Sequence, residues 1–204
     1  MSLAPAPETH ALALMGALHE GGQTVLLLGP DGAAFWPHFT AQPEYTDGLP
    51  DPLDRWSKRA IGALAKAWGG AAVFPSDGPP YPPFFAWALA SGQAFASPVG
   101  MLVHANAGLM VSYRGAVGVP GLLPLPAPAQ NPCESCEGQP CRSACPVGAL
   151  SEDGYDVPAC KAWVGSADGS DCLTRGCAAR RACPLSRPDA RPEAQSAFHM
   201  RAFL

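Results

Sequence analysis

The sequence predicts an α+β protein in two parts: a layered domain with a mostly antiparallel sheet, then a small cysteine-bearing module. Three observations carry that expectation. Segments with helical spacing and segments with strand spacing alternate through residues 1–118. The stretch Val119–Pro132 holds Pro120, Pro124, Pro126, Pro128 and Pro132, and reads as an extended linker. All eight cysteines lie between Cys133 and Cys183. The expected division is therefore a domain at 1–118, a linker at 119–132, a cysteine module at 133–188 and a tail at 189–204.

Each element of the first part has a local signal. Glu8–His19 reads as a helix stopped by Gly21-Gly22. Thr24–Leu28 is a short apolar run bounded by polar residues, a buried strand. Asp51-Pro52 places a capping residue before a proline at the first helical position. From there Trp56, Ala60, Leu64 and Ala67 mark one helical face up to Trp68. Ala71–Phe74 is a further strand, and Phe84–Ser91 a short helix closed by Gly92. Gly100–His104 and Leu109–Val117 read as two strands of a hairpin.

Composition bounds the function. A chain of 204 residues has room for one medium core and a small appended module. Its 24 prolines and 22 glycines imply much loop, while 48% apolar residues argue against disorder. A net charge of −4 gives no footprint for nucleic acid. No apolar run is long enough to span a membrane, and the residues before Ala11–Leu18 lack the positive charges of a secretory signal. The expectation is a cytoplasmic protein whose thiols stay reduced.

The cysteines carry the chemistry. The first four read Cys133-x2-Cys136-x4-Cys141-x3-Cys145-Pro146. The second four are Cys160 and then Cys172-x4-Cys177-x5-Cys183-Pro184. Two groups of four, each ending in Cys-Pro, are close to the run C-x2-C-x2-C-x3-C-P that wraps a [4Fe–4S] cluster. In two-cluster ferredoxins the cysteine before proline ligates the other cluster. On that rule Cys133, Cys136, Cys141 and Cys183 hold one cluster, and Cys145, Cys160, Cys172 and Cys177 hold the second. Disulfides and structural zinc are the alternatives. Disulfides belong to secreted chains. Zinc sites favour C-x2-C knuckles or histidine partners, and here only Cys133/Cys136 has that spacing, with all five histidines outside the block. Arg142, Arg175, Arg180, Arg181 and Arg187 lie among the cysteines, where they offset the charge of a cluster, dock an electron donor or form a solvated basic surface.

Several residues give a resemblance to known families. Gly92–Val117 resembles the segment preceding the ferredoxin module in epoxyqueuosine reductases, sharing Gly92, Leu102 and Gly108. The same run is similar to the G-x3-H-x3-G-x5-R-G pattern of CblC-type cobalamin-processing proteins, met here by Gly100, His104, Gly108, Arg114 and Gly115. Asp51-Pro52-Leu53-Asp54 resembles a D-P-V-D stretch of that family, and Cys160-Lys161-Ala162-Trp163 a part of the cysteine module of the epoxyqueuosine reductases. The chain departs at Ser97-Pro98-Val99, where epoxyqueuosine reductases carry Gly-Lys-Asn. The resemblance implies a nitroreductase-like, CblC-like α+β domain that binds cobalamin, beside a ferredoxin-like module of two [4Fe–4S] clusters.

Three residues become candidates for a cofactor or catalytic site. His104 and Arg114 are the cofactor-binding candidates, and Asp77, in Ser76-Asp77-Gly78, is the catalytic candidate by its position before Gly92. Read from the residues alone, His104 is equally a hydrogen-bonded structural residue, Arg114 a charge on an exposed strand face, and Asp77 a turn residue. Three functions follow. The chain is an iron–sulfur oxidoreductase passing electrons to a corrinoid or a small-molecule substrate, a plain electron carrier, or a corrinoid-binding and processing module. Each implies an electron donor protein such as a flavodoxin, a ferredoxin or a reductase.

Overall fold

The computed structural model describes residues 4–152, 154–187 and 190–204. Asp189, at the start of the expected tail, and Pro188, at the end of the expected cysteine module, lie outside the described residues. Along the chain the elements are β1 (Leu12–Glu20), β2 (Gln23–Pro30), α1 (Gly32–Thr40), α2 (Pro43–Thr46), α3 (Pro52–Ala67), β3 (Ala71–Val73), α4 (Phe84–Ala90), β4 (Ala94–Ala96), β5 (Leu102–His104), β6 (Gly115–Pro120), β7 (Leu150–Ser151), β8 (Gly154–Tyr155), α5 (Val157–Val164), α6 (Ser170–Arg175), α7 (Ala178–Ala182) and α8 (Glu193–Phe203). The protein is α+β with antiparallel sheets. Among the described residues no helix is long and apolar enough to cross a membrane.

The chain forms two compact units, and the boundary is not at residue 118. The first unit is Met1–Gln93 with Ser112–Pro128; the second is Ala94–Val111 with Ala129–Leu204. Residues 94–111 thus belong with the cysteines rather than with the large sheet. The sequence gives no composition change at 93 or 111 that would mark this excursion.

The first unit is built on a four-stranded sheet in the order β1-β2-β6-β3. Its first strand corrects the helix expected over Glu8–His19. Gly21 and Gly22 both have positive φ, 58° and 78°. They make a two-residue hairpin turn that pairs Glu20 with Gln23, a geometry that glycine pairs favour. A run such as Ala11–Leu18 is too short for periodicity to decide between strand and helix. Here the partner strand decides it: Leu12, Leu26, Leu27 and Leu28 are all buried where the two strands pair. The apolar strand β2 sits at the centre, bonded to β1 on one side and to β6 on the other.

Helix α3 covers the sheet. Trp56, Ala60, Ile61 and Leu64 are fully buried, and Trp68 rather than the exposed Ala67 completes the face. Asp51 stands at the N-cap position, yet it adopts a left-handed conformation (φ 51°) and its side chain makes no capping hydrogen bond. Trp56 packs edge-on against Phe35 and Phe39 of α1, at ring separations of 5.5 and 5.7 Å. Glu44 of α2 is clamped by Arg59 of α3, with Nε to Oε1 at 2.5 Å and Nη2 to Oε2 at 3.0 Å. Proline-rich residues 121–128 are held to this unit. Thr24 Oγ1 donates to Gly121 O and accepts from Leu123 N, each at 2.8 Å, and Gln93 Nε2 donates to Ala127 O at 2.8 Å. The strand before them, β6, runs to Pro120, so the expected linker start at Val119 falls inside the sheet.

The expected hairpin between Gly100–His104 and Leu109–Val117 is also corrected. β5 pairs with β4, Ala94 opposite His104, and β6 begins only at Gly115 and pairs with β2 and β3. The reason lies in the loop between them. Residues 105–108 fold back on His104, and Arg114 N is already bonded to Leu28 O at 2.8 Å in the other unit's sheet. The expected tail is helix α8, packed on the second unit with Gln195, Ser196 and Ala197 buried.

Trp56→Ala should cost about 3–5 kcal/mol of stability by emptying the centre of this aromatic cluster, read as a lower urea midpoint of the sheet-bearing unit. A second expectation concerns acid. The hydrogen bond from Arg59 holds the Glu44 carboxyl below the ordinary range. Its folded value therefore lies under its unfolded value, so the stability it supplies is present above the ordinary carboxylate range and is lost as pH falls through the folded value. Glu44→Gln should flatten the loss of stability on acidification below about pH 4.3, measured by urea unfolding across pH.

Candidate metal centres

The second unit brings the eight cysteines together in two sets of four. Cys133, Cys136, Cys141 and Cys183 line one pocket, of about 410 Å³, together with Ser97, Pro98, Val103 and Leu109. Cys145, Cys160, Cys172 and Cys177 line a second and tighter one, of about 20 Å³, with Leu150, Trp163 and Val164. All eight are free thiols. Among the described residues no group of three or more His, Cys, Asp or Glu is arranged to hold a metal ion. The thiols of each set ring a pocket instead of closing on one point.

Local structure explains how each cysteine arrives. Asn131 Oδ1 accepts from Cys133 N at 3.1 Å and starts the first run. Gly138 and Gln139 both take positive φ, 67° and 38°, and turn the chain so that Pro140–Arg142 carries Cys141 inward. Cys145 is followed by Pro146, and Ala149 N donates to Cys145 Sγ at 3.3 Å. Asp156 caps α5 by accepting from Ala159 N at 2.9 Å, which fixes Cys160 in its first turn. Gly176, at φ 91°, separates α6 from α7, and its missing side chain is replaced by Ser196 of α8.

Helix α7 joins the two sets. Cys177 stands at its N-cap and Cys183 at its C-cap. The six steps from Cys177 to Cys183 across this five-residue helix span about 9 Å at about 1.5 Å each, so the two pockets lie at opposite ends of one short strut. Its Ala179 is fully buried in an apolar cluster with Val99, Val103, Leu109, Cys141 and Leu150. A second strut, Cys141 to Cys145, links the same two pockets.

The thiols act on one another within their sets. Burial first, then Cys141, Cys183 and Cys136, pushes the Cys133 thiol up. Burial and then Cys183 and Cys136 do the same to Cys141. Burial raises Cys160 against a hydrogen bond from Tyr155, with Cys177, Cys145 and Cys172 adding to the rise.

The residues expected to form a cofactor site have local partners. His104 belongs to the second unit and is buried; its Nδ1 accepts from Asn106 N at 3.1 Å and Ala107 N at 3.3 Å. It shapes the loop that returns at Gly108. Arg114 belongs to the first unit, where it is ion-paired with Asp54 and donates from Nε to Ser57 Oγ at 3.1 Å. Asp77, also of the first unit, accepts from Phe74 N at 2.9 Å and lies 3.2 Å from Lys58 Nζ. The glycines of the same pattern serve packing. A side chain at Gly115 would meet Ile61 Cδ1 at 2.9 Å, and one at Gly108 would meet Cys183 Sγ at 3.0 Å and Leu185 Cβ at 2.9 Å. The Ala149 N–H is a site group that spacing did not reveal, because it stands beside Leu150, which β-pairing with Tyr155 fixes.

No family model matches the chain, and no curated protein matches it.

Gly108 is therefore the tightest test of the first pocket. It has φ 56° and sits against the Cys183–Leu185 turn. Gly108→Ala should displace Cys183, so that Cys183 reacts faster with a thiol reagent while the Cys145 set is unchanged, read by mass spectrometry of the labelled peptides.

Proposed function

We propose that the chain is an iron–sulfur electron-transfer protein holding two [4Fe–4S] clusters on a ferredoxin-like module. One observation carries the reading: each pocket is lined by four cysteines, and each set takes one member, Cys183 or Cys145, that directly precedes proline. A cubane needs four thiolates approaching from different sides, and a mononuclear zinc site needs four converging on one point. Thiols that ring a pocket suit the former.

When bound, such clusters accept and release single electrons. The chain's own contribution is to hold, space and shield them. The two struts, Cys141–Cys145 and α7, keep the sites a short helix apart. Val103, Leu109 and Val164 line the two pockets beside the sulfurs. Pro146 and Pro184 turn the chain after a ligand without leaving an unsatisfied N–H. The reading places the protein in a reducing compartment, the cytoplasm, with a flavodoxin, ferredoxin or reductase as donor. That the first unit is nitroreductase-like and carries a corrinoid acceptor rests on the resemblance in Gly92–Val117. The local partners of His104, Arg114 and Asp77 favour the carrier reading.

Anaerobic reconstitution tests this. The protein should bind about eight iron and about eight labile sulfide per chain, and Cys183→Ala should disturb the centre of Cys133 while sparing that of Cys145. Two tightly held zinc ions without labile sulfide would overturn it. Cob(II)alamin added to the loaded protein decides the acceptor. An unchanged cobalt resonance identifies a carrier, and a shifted one that Arg114→Ala abolishes identifies a resident corrinoid.

A further inference from the structure

The two cysteine pockets have different walls. The second is lined by its cysteines and by apolar side chains such as Val147, Leu150 and Val164, and Trp163 is the one lining residue besides cysteine with a side-chain N–H or O–H. The first is lined by Ser97 next to Pro98, Val103 and Leu109. Ser97 opens the turn that joins β4 to β5, and its backbone is committed there: Ser97 N donates to Met101 O at 2.9 Å, and Ser97 O accepts from Gly100 N at 3.1 Å. Its side chain is not committed. Ser97 is 8% exposed, and among the described residues its Oγ has no hydrogen-bond partner. The other polar residues that line this pocket differ. Ser135 and Glu137 are exposed, and Gln139 Nε2 donates to Cys133 O at 3.5 Å. An enclosed hydroxyl cut off from water needs an acceptor. Beside Pro98, Val103 and Leu109, the acceptors this pocket offers are sulfurs.

We propose that the Ser97 hydroxyl donates a hydrogen bond to sulfur at the Cys133/Cys136/Cys141/Cys183 site and raises the reduction potential of that site. The inference rests on the two-cluster reading. A hydroxyl has one proton to give and rotates to meet its acceptor. Thiolate and sulfide carry charge, and a charged acceptor makes the stronger bond. Reduction adds one negative charge to the site, so the bond strengthens and favours the reduced state. The electron comes from an external one-electron reductant, dithionite in the experiment. The proton stays on Ser97 Oγ, and no covalent bond forms or breaks. The turn that carries Ser97 is held by Val99, which is buried in one cluster with Val103, Leu109 and Cys141. The hydroxyl is thus placed by packing, and Ser97 acts on the ligands without being one.

The test is an anaerobic redox titration of the full reconstituted chain followed by electron paramagnetic resonance. The signal that Cys183→Ala removes or alters marks the first site. Ser97→Ala should lower the midpoint potential of that site alone. Its reduction constant should fall about tenfold, equal to about 59 mV for a one-electron couple. Ser97→Thr keeps the hydroxyl and should retain most of the potential. Electron–nuclear double resonance gives a second reading: the reduced first site should show an exchangeable-proton coupling that Ser97→Ala abolishes. If Ser97→Thr fails to fold, that coupling decides. Ser186, also buried with an unpartnered hydroxyl but outside the pocket lining, is the control, and Ser186→Ala should leave both potentials in place. Protein with about eight irons whose first-site potential and proton coupling ignore Ser97→Ala, or follow Ser186→Ala equally, overturns this inference alone. Wild type without iron and sulfide overturns the cluster reading and this inference with it.

Discussion

A helix of five residues with a cysteine at each end is the constraint around which the second unit is organised. Cys177 and Cys183 flank α7, so they face different pockets, and neither can turn to share a site with the other. Cys141 and Cys145, four residues apart, likewise line different pockets. Once two such struts exist, each pocket must take its fourth thiol from a distant part of the chain. The rest of the unit supports this. Residues 94–111 and the hairpin β7–β8 provide apolar walls, and α8 packs against the turn at Gly176. The small core of Val99, Val103, Leu109, Leu150 and Ala179 lies among the cysteines themselves, so the packing of this unit and the placement of its thiols depend on each other.

The excursion of residues 94–111 away from the sheet-bearing unit gives meaning to the pattern Gly100, His104, Gly108. His104 gathers the N–H groups of Asn106 and Ala107, which brings the backbone at Gly108 against the Cys183–Leu185 turn. The histidine acts on the cysteine site through the fold, as a loop former. Arg114 and Gly115 continue the pattern in the other unit, where one meets Asp54 and Ser57 and the other makes room for Ile61 and Phe74. A single run of sequence thus serves two separate packing tasks, and its spacing follows from both.

The first unit shows a sheet and helix layer whose charges are locally paired. Arg55 with Asp47, Arg59 with Glu44 and Lys58 with Asp77 arrange the surface of α3 around its loops. Its aromatic residues Phe35, Phe39 and Trp56 fill the space between α1 and α3.

The sequence by itself determined the α+β class, helix α3 with Trp56, Ala60 and Leu64 inward, the central strand at Thr24–Leu28, the short helix before Gly92 and the division of the cysteines into fours. Each of these rests on local signals: periodicity, a proline at a helix start, a glycine at its end, or the spacing of ligands. Tertiary structure alone decided that Leu12–Glu20 is a strand, because an apolar run takes the conformation of the neighbour it pairs with. It alone decided that β5 pairs with β4 and that residues 94–111 join the cysteines. Those outcomes depend on which distant segments meet, and pairings between residues far apart in the chain leave no mark in local spacing.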